Sequence, residues 1–201
     1  MLQIEPPDGA QLLIFPIDDG VIIAGYRNPT YFDKNGYPHY GIDLVAVSGR
    51  AEVIASGIGI VLGTEFCNNS LGNIAVIRYD DVFVPQSGEI ISLIARYYHM
   101  DSIMVDKDDL VAPGQAIGSI DGSHEQYHHI HMELDADVQF PFHTPQVAQS
   151  SSNLLNRFPA NGDKILEPIY VLALGREQWI YVHPDSDCVM EKDNPRYAQK
   201  R

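Results

Sequence analysis

Cysteine is nearly absent from this 201-residue chain, which holds only Cys67 and Cys188. Neither belongs to a Cys-x-x-Cys pair, so a cysteine-built zinc site is not expected; a disulfide between the two has no support, and they read as unrelated reduced thiols. Positive charge is also scarce. Thirteen Lys and Arg stand against 27 Asp and Glu, a net charge of -14. That balance argues against nucleic acid, or any polyanion, as a partner held by general electrostatics. No apolar run approaches the roughly 20 residues of a membrane span. The stretch from Met1 to Asp8 has neither a basic n-region nor an apolar h-region, so no signal peptide is visible. Little chain precedes the first strand-like run, so no pro-segment is expected to plug a site. A His-Glu-x-x-His motif is missing too, which removes zinc hydrolysis with a glutamate base.

What is present suits a β-rich domain. Apolar residues make up 45% of the chain, enough for a real core. Short apolar runs recur at Val21–Ala24, Ile42–Val47, Glu52–Ala55, Gly59–Leu62, Asn73–Tyr79, Glu89–Tyr98, Ala116–Ile120 and His129–Leu134. Turn residues separate them at intervals of roughly ten, which predicts an antiparallel, mainly β fold with few short helices. Asn35-Gly36 and Pro113-Gly114 are the clearest turns. Ser102–Leu110 is expected to form a turn or short helix, and Thr144–Phe158 a long polar loop. Ile165–Leu174 and Gln178–Val182 read as closing strands. The expected organisation is one domain over residues 1–184, with a core at about 14–172 and a loop insertion at about 140–162. A charged tail follows at 185–201.

Histidine is concentrated: four of the eight lie between 124 and 131. His129 and His131 share one strand face, with Cα atoms roughly 7 Å apart. Glu133 shares that face, as a further ligand or as a partner that orients a histidine. His39 and Asp43 would stand about 13 Å apart in a straight strand, too far for one metal. Gly41 and the β-branched residues after it argue against a helix, so the chain is expected to bend at Gly41. His99 follows an apolar run and gains interest only in combination with the others. Three protein ligands and an open fourth position are the signature of a catalytic zinc rather than a structural one.

In this order, His39-x-x-x-Asp43, His99 and His129-x-His131 resemble the lysostaphin-like, LytM-type zinc endopeptidases. Gly20–Arg27 is similar to that family's approach to the first histidine. Val53–Val61 resembles its following hairpin, Gly72–Ile77 its next strand, and Val111–Gly118 the segment before the His-x-His. Ile165–Pro168 looks like its closing segment, so the likeness spans roughly residues 14 to 172. The resemblance implies the duplicated hybrid motif of that family, a β-sheet domain with one Zn2+ per chain. It implies His39, Asp43 and His131 as zinc ligands, His129 as general base and His99 as stabiliser of the tetrahedral intermediate. It implies peptidoglycan peptides as substrate, and an extracellular, cell-wall or phage-associated setting. The metal's fourth position is expected to be open to water or a small anion.

The chain departs from the family in three places. The stretch between Ile77 and His99 is long, the approach to the His-x-His reads Asp121–His128, and the loop after Asp137 is enlarged. These departures bear on substrate choice more than on the metal, although His124 and His128 stand as rival ligands. Two other readings compete. One is a non-catalytic scaffold, or an activator of cell-wall hydrolases, on the same fold. The other is a cupin-like barrel, which has the wrong glutamate spacing and gives His39 and Asp43 no role. Glycyl–glycine, D-alanyl–glycine and D-alanyl–diaminopimelate bonds all stay open, as does the oligomeric state.

Overall fold

The computed structural model describes residues 5–121, 129–147, 151–176 and 178–183. His124, His128, Cys188 and the 185–201 tail lie outside the described residues. The described chain is mainly β, and its large sheet has nine strands. Their order is Trp179–Val182, Asp19–Ala24, Ile42–Ala46, Ile130–Asp135, Glu89–Met100, Asn73–Val84, Gly59–Glu65 and Leu110–Val111, with Ile165–Leu166 added beside Ile130–Asp135. All its pairs are antiparallel except Trp179–Val182 with Asp19–Ala24. A second, antiparallel sheet runs Ala51–Ile54, Ala116–Ile120, Ser102–Ile103. No helix of the described residues is long and apolar enough to cross a membrane.

Strand alternation decides what each face carries. Ile130, Met132 and Leu134 join Ile42, Leu44, Ala95 and Tyr97 in the main core, together with Val53, Ile117 and Ile120 of the smaller sheet. Each fully buried Val, Leu, Ile or Met among them contributes about 1.5–3 kcal/mol. The intervening His131, Glu133 and Asp135 project from the other face and are buried as well. There Val147 and Leu155 close over Ile74, Val76, Ile94 and Tyr98 in a second cluster.

The polar half of Ile130–Asp135 is held by one cation. Arg96 Nη1 donates to Glu133 at 3.2 Å and Nη2 to Asp135 at 2.6 Å, while Nε donates to the Pro141 carbonyl at 2.9 Å. Tyr98 and Thr144 hydroxyls donate to Glu133 at 2.9 Å each, and Asn161 donates to Asp135. Arg96, Glu133 and Asp135 have no solvent exposure. The network therefore fastens the 140–162 segment to the strand that ends at the histidines. On the far side, Glu65 accepts from Ser152, from the Asn153 backbone at 2.7 Å and from the Leu154 backbone at 3.2 Å. These bonds hold the carboxyl of Glu65 below its ordinary pKa, against the upward push of burial.

Several elements differ from expectation. Val53–Val61 is not a hairpin: Ala51–Ile54 belongs to the small sheet and Gly59–Glu65 to the large one. At the crossing, Gln11 replaces a strand partner, accepting from Ile58 N at 2.7 Å and donating to Ile58 O at 2.9 Å. Ser102–Leu110 contains no helix. Ser102–Ile103 pairs with Gly118 and Ser119, and the Asp109 carboxylate takes the Asp106 N–H at 2.8 Å, closing a polar turn. Ile165–Leu174 is broken by a four-residue helix, Pro168–Val171, because Pro168 suits a first helical turn and cannot donate to a ladder. Asn35-Gly36 ends a helix, Pro29–Asn35, in which Gly36 (φ 78°) supplies the left-handed cap. The described residues of the 144–158 segment, 144–147 and 151–158, form a packed roof rather than a free loop, with His143–Thr144 paired to Asn156–Arg157.

Two outcomes follow from this packing. Arg96→Met strands two buried carboxylates and should lower unfolding free energy by about 3–5 kcal/mol in urea titration. Adding Glu133→Gln and Asp135→Asn should recover part of that loss. At Gly41 a Cβ would lie 2.3 Å from the Met132 carbonyl and 2.7 Å from the His131 ring. Gly41→Ala should therefore cost about 1–3 kcal/mol, read in the same titration.

Candidate metal centre

Register brings the key residues together. Asp43 in Ile42–Ala46 is the direct cross-strand partner of His131, and His131 is in turn the partner of Tyr98. His39 lies ahead of the strand, where the chain turns back towards Asp43. Its Nε2 stands 3.1 Å from Asp43 Oδ1 and 3.0 Å from His131 Nδ1, and His131 Nδ1 stands 2.8 Å from the same Oδ1. Gly41 has room for this fold-back because it lacks a Cβ; its backbone is not left-handed. One ligand atom from each of the three residues lies within 4.8 Å of the others, and all three residues are buried.

The donor set fits a zinc ion. His39 Nδ1 lies 2.7 Å from the Gly25 carbonyl, so it carries the proton and Nε2 presents a lone pair. That arrangement leaves two ring nitrogens and a carboxylate oxygen facing one point. Tetrahedral ligands on zinc stand roughly 3.3 Å apart, close to the separations found here. Burial opposes charge on the His39 ring, yet Asp43 and the bond to Gly25 outweigh it and raise its pKa. Burial likewise opposes ionisation of Asp43, yet the imidazoles of His39 and His131 beside it hold its carboxyl well below the usual range. The Tyr31 ring packs on His39 with centroids 4.5 Å apart.

His129 and His99 flank this trio. His129 precedes Ile130–Asp135, half-buried, with Nε2 at 3.8 Å from Asp43 Oδ2. His99 should point into the core by alternation with Tyr98. It does not, because the pairing of Asn73–Val84 with Glu89–Met100 shifts register between Asn73↔Met100 and Ala75↔Tyr97. His99 sits at that irregularity with φ 64°, a conformation non-glycine residues avoid. Gly72 allows it: a Cβ there would be 2.6 Å from His99 Cα. The His99 ring thereby comes within 4.8 Å of the His129 ring, centroid to centroid. Burial, then His129 and His131, push His99 down to about 3, so its imidazole is neutral at ordinary pH.

Asp43, His131, His129 and His99 line one cleft of about 750 Å³, and His39 is buried behind them. Helix Pro29–Asn35 contributes Tyr31 and Lys34 to it, and the roof segment contributes Gln146 and Arg157. Gln146 links the two, donating to Tyr31 Oη at 3.2 Å and accepting from Tyr40 N at 2.9 Å. Sequence reasoning missed this wall. Its signals were Asn28-Pro29, where the Asn28 side chain caps the Tyr31 N–H at 2.8 Å, and Gly36 after the last turn. Glu133 is spent on Arg96, Tyr98 and Thr144, and it is not in the ligand cluster of the described residues.

Among solved structures, the chain is similar to a zinc-containing peptidase from Vibrio cholerae at 27% identity and TM-score 0.49. That match covers 62% of this chain and 37% of the other, so the chain spans well under half of that relative. It is similar to the catalytic domain of EnpA, a prophage-encoded M23 protein of Enterococcus faecalis (25% identity, TM-score 0.44, 64% of this chain and 87% of that one). It is also similar to lysostaphin of Staphylococcus simulans (17% identity, TM-score 0.44, 76% and 48%). No curated protein matches the chain. The decisive likeness is in sequence. Residues 37–140, just over half the chain and the stretch that carries His39, Asp43, His99, His129 and His131, match Peptidase family M23, and the chain belongs to that family.

Proposed function

We propose that this chain is a zinc-dependent endopeptidase that hydrolyses peptide bonds in bacterial cell-wall peptidoglycan, in its cross-bridges or stem peptides. The observation that carries the reading is the convergence of His39 Nε2, Asp43 Oδ1 and His131 Nδ1 on one point, beside two further histidines in an open cleft. Membership of a peptidase family supports the reaction class.

His39, Asp43 and His131 would hold one zinc ion. When bound there, zinc supplies Lewis acidity, polarising the scissile carbonyl and bringing a water's pKa towards neutrality. His129 stands at the cleft side of Asp43, placed to take a proton from the attacking water and return it to the leaving amine. His99, kept neutral by burial, donates an N–H to the oxygen on which negative charge develops. The roof and the Pro29–Asn35 helix hold the peptide between them, bridged by Gln146. Gly25 fixes the tautomer of His39, and the Arg96 network fixes the strand that carries His131.

The first expected outcome concerns the metal. Wild-type protein should bind one zinc per chain and gain thermal stability from it. Asp43→Ala should lose zinc affinity by well over the roughly 100-fold that removal of an outer partner costs. Unchanged affinity in that variant, measured by competition with a chelator, would rule out the ligand set. The second concerns turnover. His129→Ala should keep its zinc yet lose about 10²–10⁴ in kcat. Mass spectrometry of products released from peptidoglycans of several cross-link types reads this, through peptides with new amino termini that the variant fails to make. Zinc bound at one per chain with no release from any wall would favour a scaffold or activator of other hydrolases.

A further inference from the structure

The cleft is lined by two cations that the chemistry above does not use. Lys34 comes from the last turn of helix Pro29–Asn35 and Arg157 from the strand Asn156–Arg157. Acidic residues outnumber basic ones 27 to 13 in this chain, yet among the described residues the sole carboxylate on the cleft lining is Asp43. Asp43 is engaged by His39 and His131. Arg78 and Arg96 find carboxylate partners, whereas no ion pair involves Lys34 or Arg157 among the described residues. The other polar walls are neutral hydroxyls and amides, such as Thr30, Tyr37 and Gln146. In an acidic molecule the described lining of the cleft therefore carries net positive charge, and a bound divalent metal would add to it.

Both cations stand on fastened elements. The cap from Asn28 and the Tyr31 bond to Gln146 hold the helix. Backbone bonds from Asn156 N to Phe142 O and from Phe158 N to Thr144 O, both 2.8 Å, hold Arg157, and Thr144 is itself tied to Glu133. Lys34 complements the helix C-terminus, which accounts for its place in the last turn but not for its place on the cleft. Arg157 has no such local role.

We propose that Lys34 and Arg157 form a carboxylate-binding subsite of the cleft. The peptide that fits is then one with a free carboxylate near the scissile bond, as in a diaminopimelate-containing stem, rather than a neutral glycyl bridge. This assignment rests on the endopeptidase reading for its substrate, but the subsite can be tested without turnover. The test uses the full-length, zinc-loaded His129→Ala protein and calorimetric titration with synthetic cross-linked stem peptides. One peptide has all carboxylates free, one has the diaminopimelate carboxylate amidated, one has the terminal D-alanine amidated, and an N-acetylated, C-amidated pentaglycine serves as neutral control.

The free acid should bind about tenfold more tightly than at least one amide, and added salt should shrink the difference. Which amide loses affinity identifies the carboxylate. Lys34→Met and Arg157→Met together should erase the acid preference while leaving amide affinity unchanged, a result that mere loosening of the cleft would not give. Equal binding of acid and amide, a preference that survives both substitutions, or binding of none of the peptides would overturn the subsite. Wild-type hydrolysis of the same peptides separates the two claims. Acid-selective binding without hydrolysis sinks the endopeptidase and keeps the subsite, whereas hydrolysis indifferent to amidation sinks the subsite alone.

Discussion

The register of Ile130–Asp135 between Ile42–Ala46 and Glu89–Met100 is the constraint on which the rest depends. A slip of one residue would send every side chain of that strand to the opposite face. Ile130, Met132 and Leu134 would leave the core, and His131, Glu133 and Asp135 would enter it. The pairing of His131 with Asp43 on one side and Tyr98 on the other is thus enforced by hydrophobic burial on the reverse of the sheet. A cluster of candidate metal ligands of this kind needs no stability of its own to be well ordered. The core supplies the order, and the polar face inherits it.

The polar face carries its own cost. Three fully buried ionisable groups and two buried hydroxyls sit where a hydrophobic layer would be simpler and as stable. Their geometry suggests what they contribute. Arg96 reaches a backbone carbonyl of the roof, Pro141, as well as both carboxylates of the strand. Thr144, in the roof, donates to the same Glu133. An apolar contact could slide; a planar guanidinium bonded on three sides cannot. The roof bears Gln146 and Arg157 to the cleft, so the network sets the position of one cleft wall relative to the histidine strand.

How much of this was legible in the sequence can be argued residue by residue. The strands were legible where alternation or a turn residue marked them, as at Ile130–Asp135 and Pro113-Gly114. The need for the chain to fold back between His39 and Asp43 was legible from spacing alone. Its cause was not, because Gly41 serves by lacking a Cβ against Met132 and His131, a contact made across 90 residues of chain. His99 could be noticed but not aimed. Its ring turns towards the cleft only because the ladder shifts register there and Gly72 passes close behind it. The Pro29–Asn35 helix was readable from Asn28-Pro29 and Gly36, yet seven residues are too few for periodicity to announce a helix. Glu133 looked like a candidate ligand because it shares the histidine face. Its partner Arg96 lies on another strand, and only the pairing of the two residues brings them together.

The strain at His99 arises from the same strand pairing that sets the rest of the polar face. A residue held at φ 64° against its own preference is kept there only if its surroundings over-determine it. Here three constraints act at once. The 12-residue strands of the long hairpin pair on both sides of the irregularity. The His99 N–H donates to the Leu71 carbonyl at 2.8 Å, and Tyr98 beside it is locked to Glu133 at 2.9 Å. An undistorted ladder would bury His99 in the core, where an imidazole has neither partner nor use. The distortion instead places a neutral ring across from His129, with its position set by backbone rather than by side-chain rotamer. In the role proposed for His99, backbone control is what a donor aimed at a transient charge requires, because a freely rotating side chain would have to be ordered anew each time the charge developed.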